Sequence, residues 1–301
     1  MKIAIATLLG CLAACLPLYS QANLQVFACE PEWAALVEEI GAQRTEAYSA
    51  TTAQQDVHHI QARPGLIARV RQADLVVCTG ADLEAAWLPV LLRRAGNPAV
   101  QPGTSGYFEA ADHVVMLEKP ASLDRAEGDV HTRGNPHIHL DPRNIARVAS
   151  ALGDRLAALD PDHAADYRAA LDDFERRWQA ARAVWERRAQ PLRSMPVVVH
   201  HASWVYLNEW LGLRQIATLE PKPGVAPSAG QLAEILQRLQ STPARVVIRT
   251  PYQDPRPSAW LHERTGLPAL ELPFTVGGSA QAGDLFGLFD STIALLLAVQ
   301  Q

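Results

Sequence analysis

Between residues 143 and 190 the chain carries almost nothing but helix-forming sequence, and that block divides the rest in two. "RNIARVASALGDRLAAL" comes first, a "DPD" break follows, and "HAADYRAALDDFERRWQAARAVWERRAQ" continues as one long, heavily charged helix. A solvated helix of that length between two other patterns is most simply a connecting rod. On either side of it, short apolar runs alternate with amphipathic helical segments, the signature of α/β units built on a largely parallel sheet.

Ahead of the rod, "LQVFAC" reads as a strand. Pro31 then opens the helix "PEWAALVEEIG", whose Trp33, Leu36, Val37 and Ile40 share one face before Gly41 closes it. "HIQARPGLIARVRQA" supplies a second helix, "DLVVCTG" a second strand and "DHVVMLE" a later one. Residues 118–136 are polar, aperiodic and rich in Gly and Pro, and so form a loop. "HIHL" reads as an extended run ended by Asp141 and Pro142, which start a helix. Beyond the rod, "MPVVVHH", "ARVVIRT" and "PALELPF" read as strands; "SWVYLNEWLG", "SAGQLAEILQRLQ", "PSAWLHERTG" and the apolar tail "LFGLFDSTIALLLAV" read as helices. The expected fold is α/β, with two similar lobes over residues 23–160 and 191–301. Each is a mostly parallel sheet flanked by helices, and a long backbone helix over 161–190 joins them. A ligand would then bind in the interlobe cleft, at the carboxyl ends of the strands.

Residues 1–22 are of another kind: one charge, Lys2, then the apolar "IAIATLLGCLAACLPL" and the small residues of "SQA". This is an export signal, too short for a stable membrane span, and cleavage after Ala22 leaves Asn23 at the new terminus. "LAAC" at 12–15 offers a second reading, a lipoprotein box with Cys15 as the lipidated residue. Of the four cysteines, Cys29 and Cys78 remain after cleavage, each at the end of a strand-like run. Export exposes them to oxidising conditions, so a Cys29–Cys78 disulfide is one expectation and two buried thiols the other. A formal charge of −5 with no Lys/Arg cluster argues against a nucleic-acid surface.

The ten histidines include three groups that stand where a strand or extended run becomes a loop: "DVHHI", "NPHIHLDP" and "VVVHH". Imidazole is the commonest metal ligand at neutral pH, and three imidazoles with one carboxylate make a natural tetrahedral zinc site. In extended chain, neighbouring side chains face opposite ways, so one residue of each doublet, His58 or His59 and His200 or His201, is expected to bind and the other to pack. The seven tryptophans fall mostly on helices and read as packing residues. No "HExxH" arrangement, nucleophile elbow or Walker loop is present.

Four stretches in order, "DVHHIQARP", "GNPHIHLDP", "HASWVYLNEWLGL" followed by "EPKPGVAPS", and "TPYQDPRPSAWLHERTGLPALELPFTVGG", resemble the periplasmic zinc- and manganese-binding receptors of ABC importers, especially the zinc branch. The resemblance implies two α/β lobes joined by a helix. It places the metal ligands on His58, His137, His201 and a carboxylate before the final helix, Asp284, with Asp290 as the fallback. The stretch 118–136 also resembles the mobile loop of those receptors; His131 in it would capture zinc transiently or receive it from a donor, and a solvated surface loop is the other reading. Three imidazoles with one carboxylate favour Zn2+ over manganese, and four protein ligands leave no open position for catalysis, so a zinc hydrolase is the minor alternative. The partners implied are a membrane permease with its ATPase and a periplasmic zinc chaperone; a monomer in the periplasm is expected.

Overall fold

In a computed structural model, residues 23–120 and 131–300 are described. The export signal, Cys15 and the middle of the 118–136 loop lie outside them. Two four-stranded, fully parallel sheets make up the frame. The first contains β1 (Leu24–Ala28), β2 (Thr45–Ser49), β3 (Leu75–Cys78) and β4 (Tyr107–Glu109) in the order β2-β1-β3-β4. The second contains β5 (Pro196–Val199), β6 (Arg214–Thr218), β7 (Val246–Arg249) and β8 (Ala269–Glu271) in the order β6-β5-β7-β8. One topology is therefore used twice. In each sheet the order reverses beside the first strand, and ligands of open α/β sheets gather beyond the carboxyl ends of the strands at that point.

Right-handed crossovers demand helices between parallel strands, and the sequence supplies them with clear punctuation. Pro31 and Pro64 sit at the first turns of α1 (Pro31–Ile40) and α2 (Pro64–Gln72), while Gly96, at φ 64°, ends α3 (Leu88–Ala95). In the second half, α6 (Val205–Leu211) ends at Gly212, Ser228 caps α7 (Ala229–Ser241), and Gly266 ends α8 (Arg256–Thr265). Between the sheets run α4 (Pro142–Leu159) and α5 (Ala164–Arg188), and α9 (Leu285–Ala298) closes the chain. Although α5 is charged overall, it buries Tyr167, Phe174, Trp178 and Trp185. Trp178 and Trp185 pack edge-on at 5.1 Å between their ring centroids and meet Phe286 and Phe289 of α9. The rod is thus glued along one stripe to the final helix, while its opposite face stays in water. Among the described residues no helix is long and apolar enough to cross a membrane.

Cys29 and Cys78 are joined in a disulfide with Cα atoms 4.8 Å apart, clipping the ends of β1 and β3 together. Two extended readings are corrected. "DHVVMLE" forms no strand: residues 110–113 make a 3-10 turn and Val115 is 71% exposed, so its apolar run has no sheet to join. "HIHL" is likewise a 3-10 turn, Ile138–Leu140, because Asp141 accepts a hydrogen bond from Arg143 N and starts α4 immediately.

Candidate metal centre

Three histidines from separate segments converge. His58 stands in the 3-10 turn Val57–His59, which Asp56 caps by accepting from His58 N at 3.0 Å. His137 follows Pro136 at the turn into α4, with its backbone N–H donating to Asn135 Oδ1. His201 stands just past the carboxyl end of β5, at the point where the second sheet reverses its order. One ligand atom of each lies within 4.8 Å of the others, and all three side chains are buried. The ring centroids form a near-equilateral triangle: 5.6 Å from His58 to His137, 5.9 Å from His137 to His201, and 6.0 Å from His58 to His201.

Carboxylates behind the rings decide which nitrogens face the centre. Asp56 Oδ1 lies 2.8 Å from His58 Nδ1, and Glu220 Oε2 lies 2.6 Å from His201 Nδ1. Each contact places the proton on Nδ1 and leaves Nε2 as an acceptor, the outer arrangement by which carboxylates orient metal-binding imidazoles. Glu220 is itself held by Gly224 N at 2.9 Å. Burial, reinforced by the neighbouring imidazoles of His58, His201 and His131, pushes the His137 pKa well below its ordinary value. His137 is therefore neutral at neutral pH, the form that binds metal.

The doublets resolve unevenly. His58 is 7% exposed, while His59 faces solvent. His200 and His201 are both buried and both turn toward Glu220, with His200 Nε2 3.8 Å from Oε1, because the chain bends after β5 instead of staying extended. His139 is held elsewhere, its Nε2 3.0 Å from Phe274 O and its Nδ1 3.1 Å from Glu32 Oε1.

Asp284 is not brought to the three histidines. Its carboxylate caps α9, accepting from Gly287 N at 2.7 Å, and lines a separate surface cavity with Pro31, Glu38 and Ser49. A capping carboxylate is committed to the helix N-terminus and faces the end of its own helix. Asp290 is engaged too, by Trp185 Nε1 at 3.0 Å and by Arg188. Among the described residues the mutual 4.8 Å grouping holds these three histidines alone, with neither a carboxylate nor His131 in it. His131 stands nearer: its Nε2 is 3.3 Å from His58 Nε2, and its ring centroid is 6.4 Å from that of His137. A second grouping, Cys29, Cys78 and Glu84, offers no thiolate because both sulfurs are in the disulfide.

Two openings reach the centre. A cleft of about 670 Å³ leads to His58 and His201 past Asp56, Glu220 and Asp254. A smaller cavity of about 250 Å³ reaches His131, His137 and His201 past Glu118. Asp56 and Glu220, with Glu118 at the smaller opening, favour a cation there, while Asp254 is paired with Arg256 on the same wall. Composition foreshadowed neither orienting carboxylate: Asp56 is two residues from its histidine, but Glu220 is nineteen residues from His201 and meets it only through the fold.

A family model for ZnuA, the periplasmic component A of a zinc-uptake complex, matches residues 26–298. The high-affinity zinc uptake protein ZnuA of Yersinia pestis is 26% identical over 206 residues, covering 64% of this chain and 65% of its own length. SloC, a metal ABC transporter lipoprotein of Streptococcus mutans, is 21% identical over 287 residues, with coverage of 93% and 90%. Matches to the zinc-binding lipoprotein AdcA of Streptococcus pneumoniae and the ZnuA of Brucella abortus each span 36% of those relatives' lengths. A ZnuA crystal structure superposes with a TM-score of 0.75 at 21% identity, covering 91% of this chain and 99% of the other. Family membership is that of the periplasmic component of a zinc-uptake complex, which speaks against the hydrolase alternative. The chain belongs to the ZnuA family, the periplasmic A components of zinc-uptake complexes.

Proposed function

We propose that this chain is the periplasmic zinc receptor of an ABC importer, taking Zn2+ at a four-nitrogen centre of His58, His137, His201 and His131 and delivering it to a membrane permease driven by an ATPase. In this reading residues 23–160 and 191–301 act as two lobes about the helix spanning 161–190, and the receptor works as an exported monomer. The convergence of three buried imidazoles on one point carries the reading. The distance from His58 Nε2 to His131 Nε2 supports His131 as the fourth ligand: Zn–N bonds of about 2.0–2.1 Å at tetrahedral angles separate two ligand nitrogens by roughly 3.4 Å, against 3.3 Å here. His131 thereby takes the place expected for Asp284, as a ligand more than as a transient captor. A donor protein would approach it through the smaller opening.

Manganese is the second metal to test, since a periplasmic metal-binding protein of Candidatus Liberibacter asiaticus with this fold was solved bound to manganese. An all-nitrogen set argues against it, because manganese prefers oxygen ligands. Copper binds such nitrogens at least as tightly as zinc, so affinity alone does not select the cargo. The deciding experiment is elemental analysis of the mature protein, stripped by chelator and re-equilibrated with limiting zinc or manganese, beside His58→Ala, His137→Ala and His201→Ala. One zinc per chain, lost or much weakened in each variant, is the expected result. Stoichiometric manganese in preference to zinc, or no stoichiometric metal, overturns the reading.

A further inference from the structure

The turn after β3 is strained for a reason that lies outside the first sheet. Gly80, Ala81 and Asp82 all have left-handed backbones, with φ of 75°, 52° and 68°. Two of the three are not glycine, and an L-residue held there crowds its Cβ against the following carbonyl oxygen. Such strain persists only where the surroundings over-determine it. Here a buried carboxylate does so: Glu84 accepts from Thr79 N at 2.9 Å and from Gly80 N at 3.1 Å. A side chain at Gly80 would also collide with Glu109, whose Oε2 would lie 2.7 Å from the added Cβ.

What the turn delivers is the Asp82 carboxylate, aimed at the residue that follows His131. Thr132 donates to Asp82 Oδ2 through both its backbone N–H, at 2.8 Å, and its hydroxyl, at 2.5 Å. The next residue is fastened as well: Arg133 pairs with Glu109 at 2.9 Å and with Asp112. Two residues further on, Asn135 Nδ2 donates to Ala202 O at 2.7 Å, beside His201. His131 is therefore the first residue beyond an anchored segment.

We propose that Asp82 is a positioning residue for the fourth zinc ligand: its carboxylate, presented by the strained turn, fixes Thr132 and so pre-sets His131 against His58. The inference rests on the reading of His131 as a ligand. Fixing the backbone of one residue costs conformational entropy, and a ligand ordered before zinc arrives does not charge that loss to binding. It also explains why a polar loop contributes a ligand although its composition is that of a solvated segment.

The test compares zinc affinity, by chelator competition, and the visible absorption of the cobalt(II) form in the mature protein. Asp82→Gly removes the carboxylate while glycine keeps φ 68° without strain. Expected is a loss of roughly ten-fold in zinc affinity and weaker cobalt bands, as tetrahedral cobalt gives way to a more hydrated ion. Thr132→Ser, which keeps both donors, should stay near wild type. In a His131→Ala background, Asp82→Gly should add nothing. Wild-type affinity and spectrum in Asp82→Gly overturn the proposal. So does an equal loss in both backgrounds, which would mean that the anchor merely supports the fold. A His131→Ala protein that binds zinc like wild type sinks the four-nitrogen reading itself, and the positioning role with it.

Discussion

Glu220 shows how one side chain can govern two neighbours. It accepts a hydrogen bond from His201 Nδ1 and also stands 3.8 Å from His200 Nε2, so the doublet that alternation would split is gathered onto one carboxylate. Glu220→Gln exchanges an acceptor-only group for an amide that can offer its N–H to the same nitrogen. The imidazole then loses both its fixed tautomer and its enhanced basicity. Zinc affinity should fall by about 10–100-fold with stoichiometry retained, as read by chelator competition; an unchanged affinity would mean that the ring is oriented by packing alone. Asp284→Ala should behave in the opposite way. Zinc binding should be untouched, while loss of the α9 cap lowers stability by about 1 kcal/mol in denaturant titration. The two acids illustrate what was legible. A ligand and a helix cap are both acids placed just before a helix, and the sequence "GDLFG" satisfies either description until the fold shows Gly287 N within 2.7 Å. The convergence of His58, His137 and His201 was legible because a family pattern tied each to a fixed neighbour. His131 stood in a stretch of low-information polar residues, and the role proposed for it rests on Asp82, forty-nine residues earlier in the chain.

At the level of elements, β1, β3, β5 and β7 announced themselves because interior strands of a parallel sheet read as continuous apolar runs. The strands β2 and β6, "TEAYS" and "RQIAT", lie at sheet edges, where polar residues are tolerated and the apolar run dissolves. The helix α3 was missed because its apolar face begins inside the "AAWLPVLL" run, with Pro89 at its start. Between the ends of β1 and β3 the fold also buries Glu30 and Glu84. Burial, with the charges of Glu84 and Glu32 beside it, pushes the Glu30 pKa well above its ordinary 4.5, and burial raises Glu84 to about 7. Carboxyls raised in the folded state hold protons that the unfolded chain has released, so their contribution is present at low pH and is lost as pH rises from about 4.5 toward 7. Glu30→Gln mimics the protonated acid. It still accepts from Thr79 and presents an N–H toward Glu84. Its melting temperature should exceed wild type at pH 8 by roughly 2–4 °C, the equivalent of about 1 kcal/mol, and should match it near pH 5. A variant less stable than wild type at pH 8 would show that Glu30 is needed as an anion.

For the molecule as a whole, the histidine cluster draws His58 and His137 from the first half of the chain and His201 from the head of the second sheet; in the proposed centre, with His131 added, zinc would tie together segments that also meet through α5, α9 and contacts such as those of Asn135, Tyr206 and His139. The apoprotein holds the same site against charge. His137 and His200 both have pKa values lowered, chiefly by burial, and are neutral when folded; in the unfolded chain they take protons below about pH 6.5. The unfolded state then binds more protons, so this contribution to stability is complete above that pH and is lost as the pH falls through it. Glu30 and Glu84 oppose this trend, which flattens the apoprotein's own profile and leaves metal binding as the steep term. Zinc binds only the deprotonated imidazoles of the folded state, and acid therefore weakens it directly. At about 1,000 times Kd, a bound ligand adds roughly 4 kcal/mol, or about 10 °C in melting temperature for a chain of this size. The expected outcome is a zinc-induced rise of that order at pH 7.5 that shrinks steadily toward pH 5.5, measured by calorimetry on chelator-stripped protein with and without zinc. A rise independent of pH would mean that the metal is held by groups other than histidine, and the four-nitrogen centre would have to be abandoned.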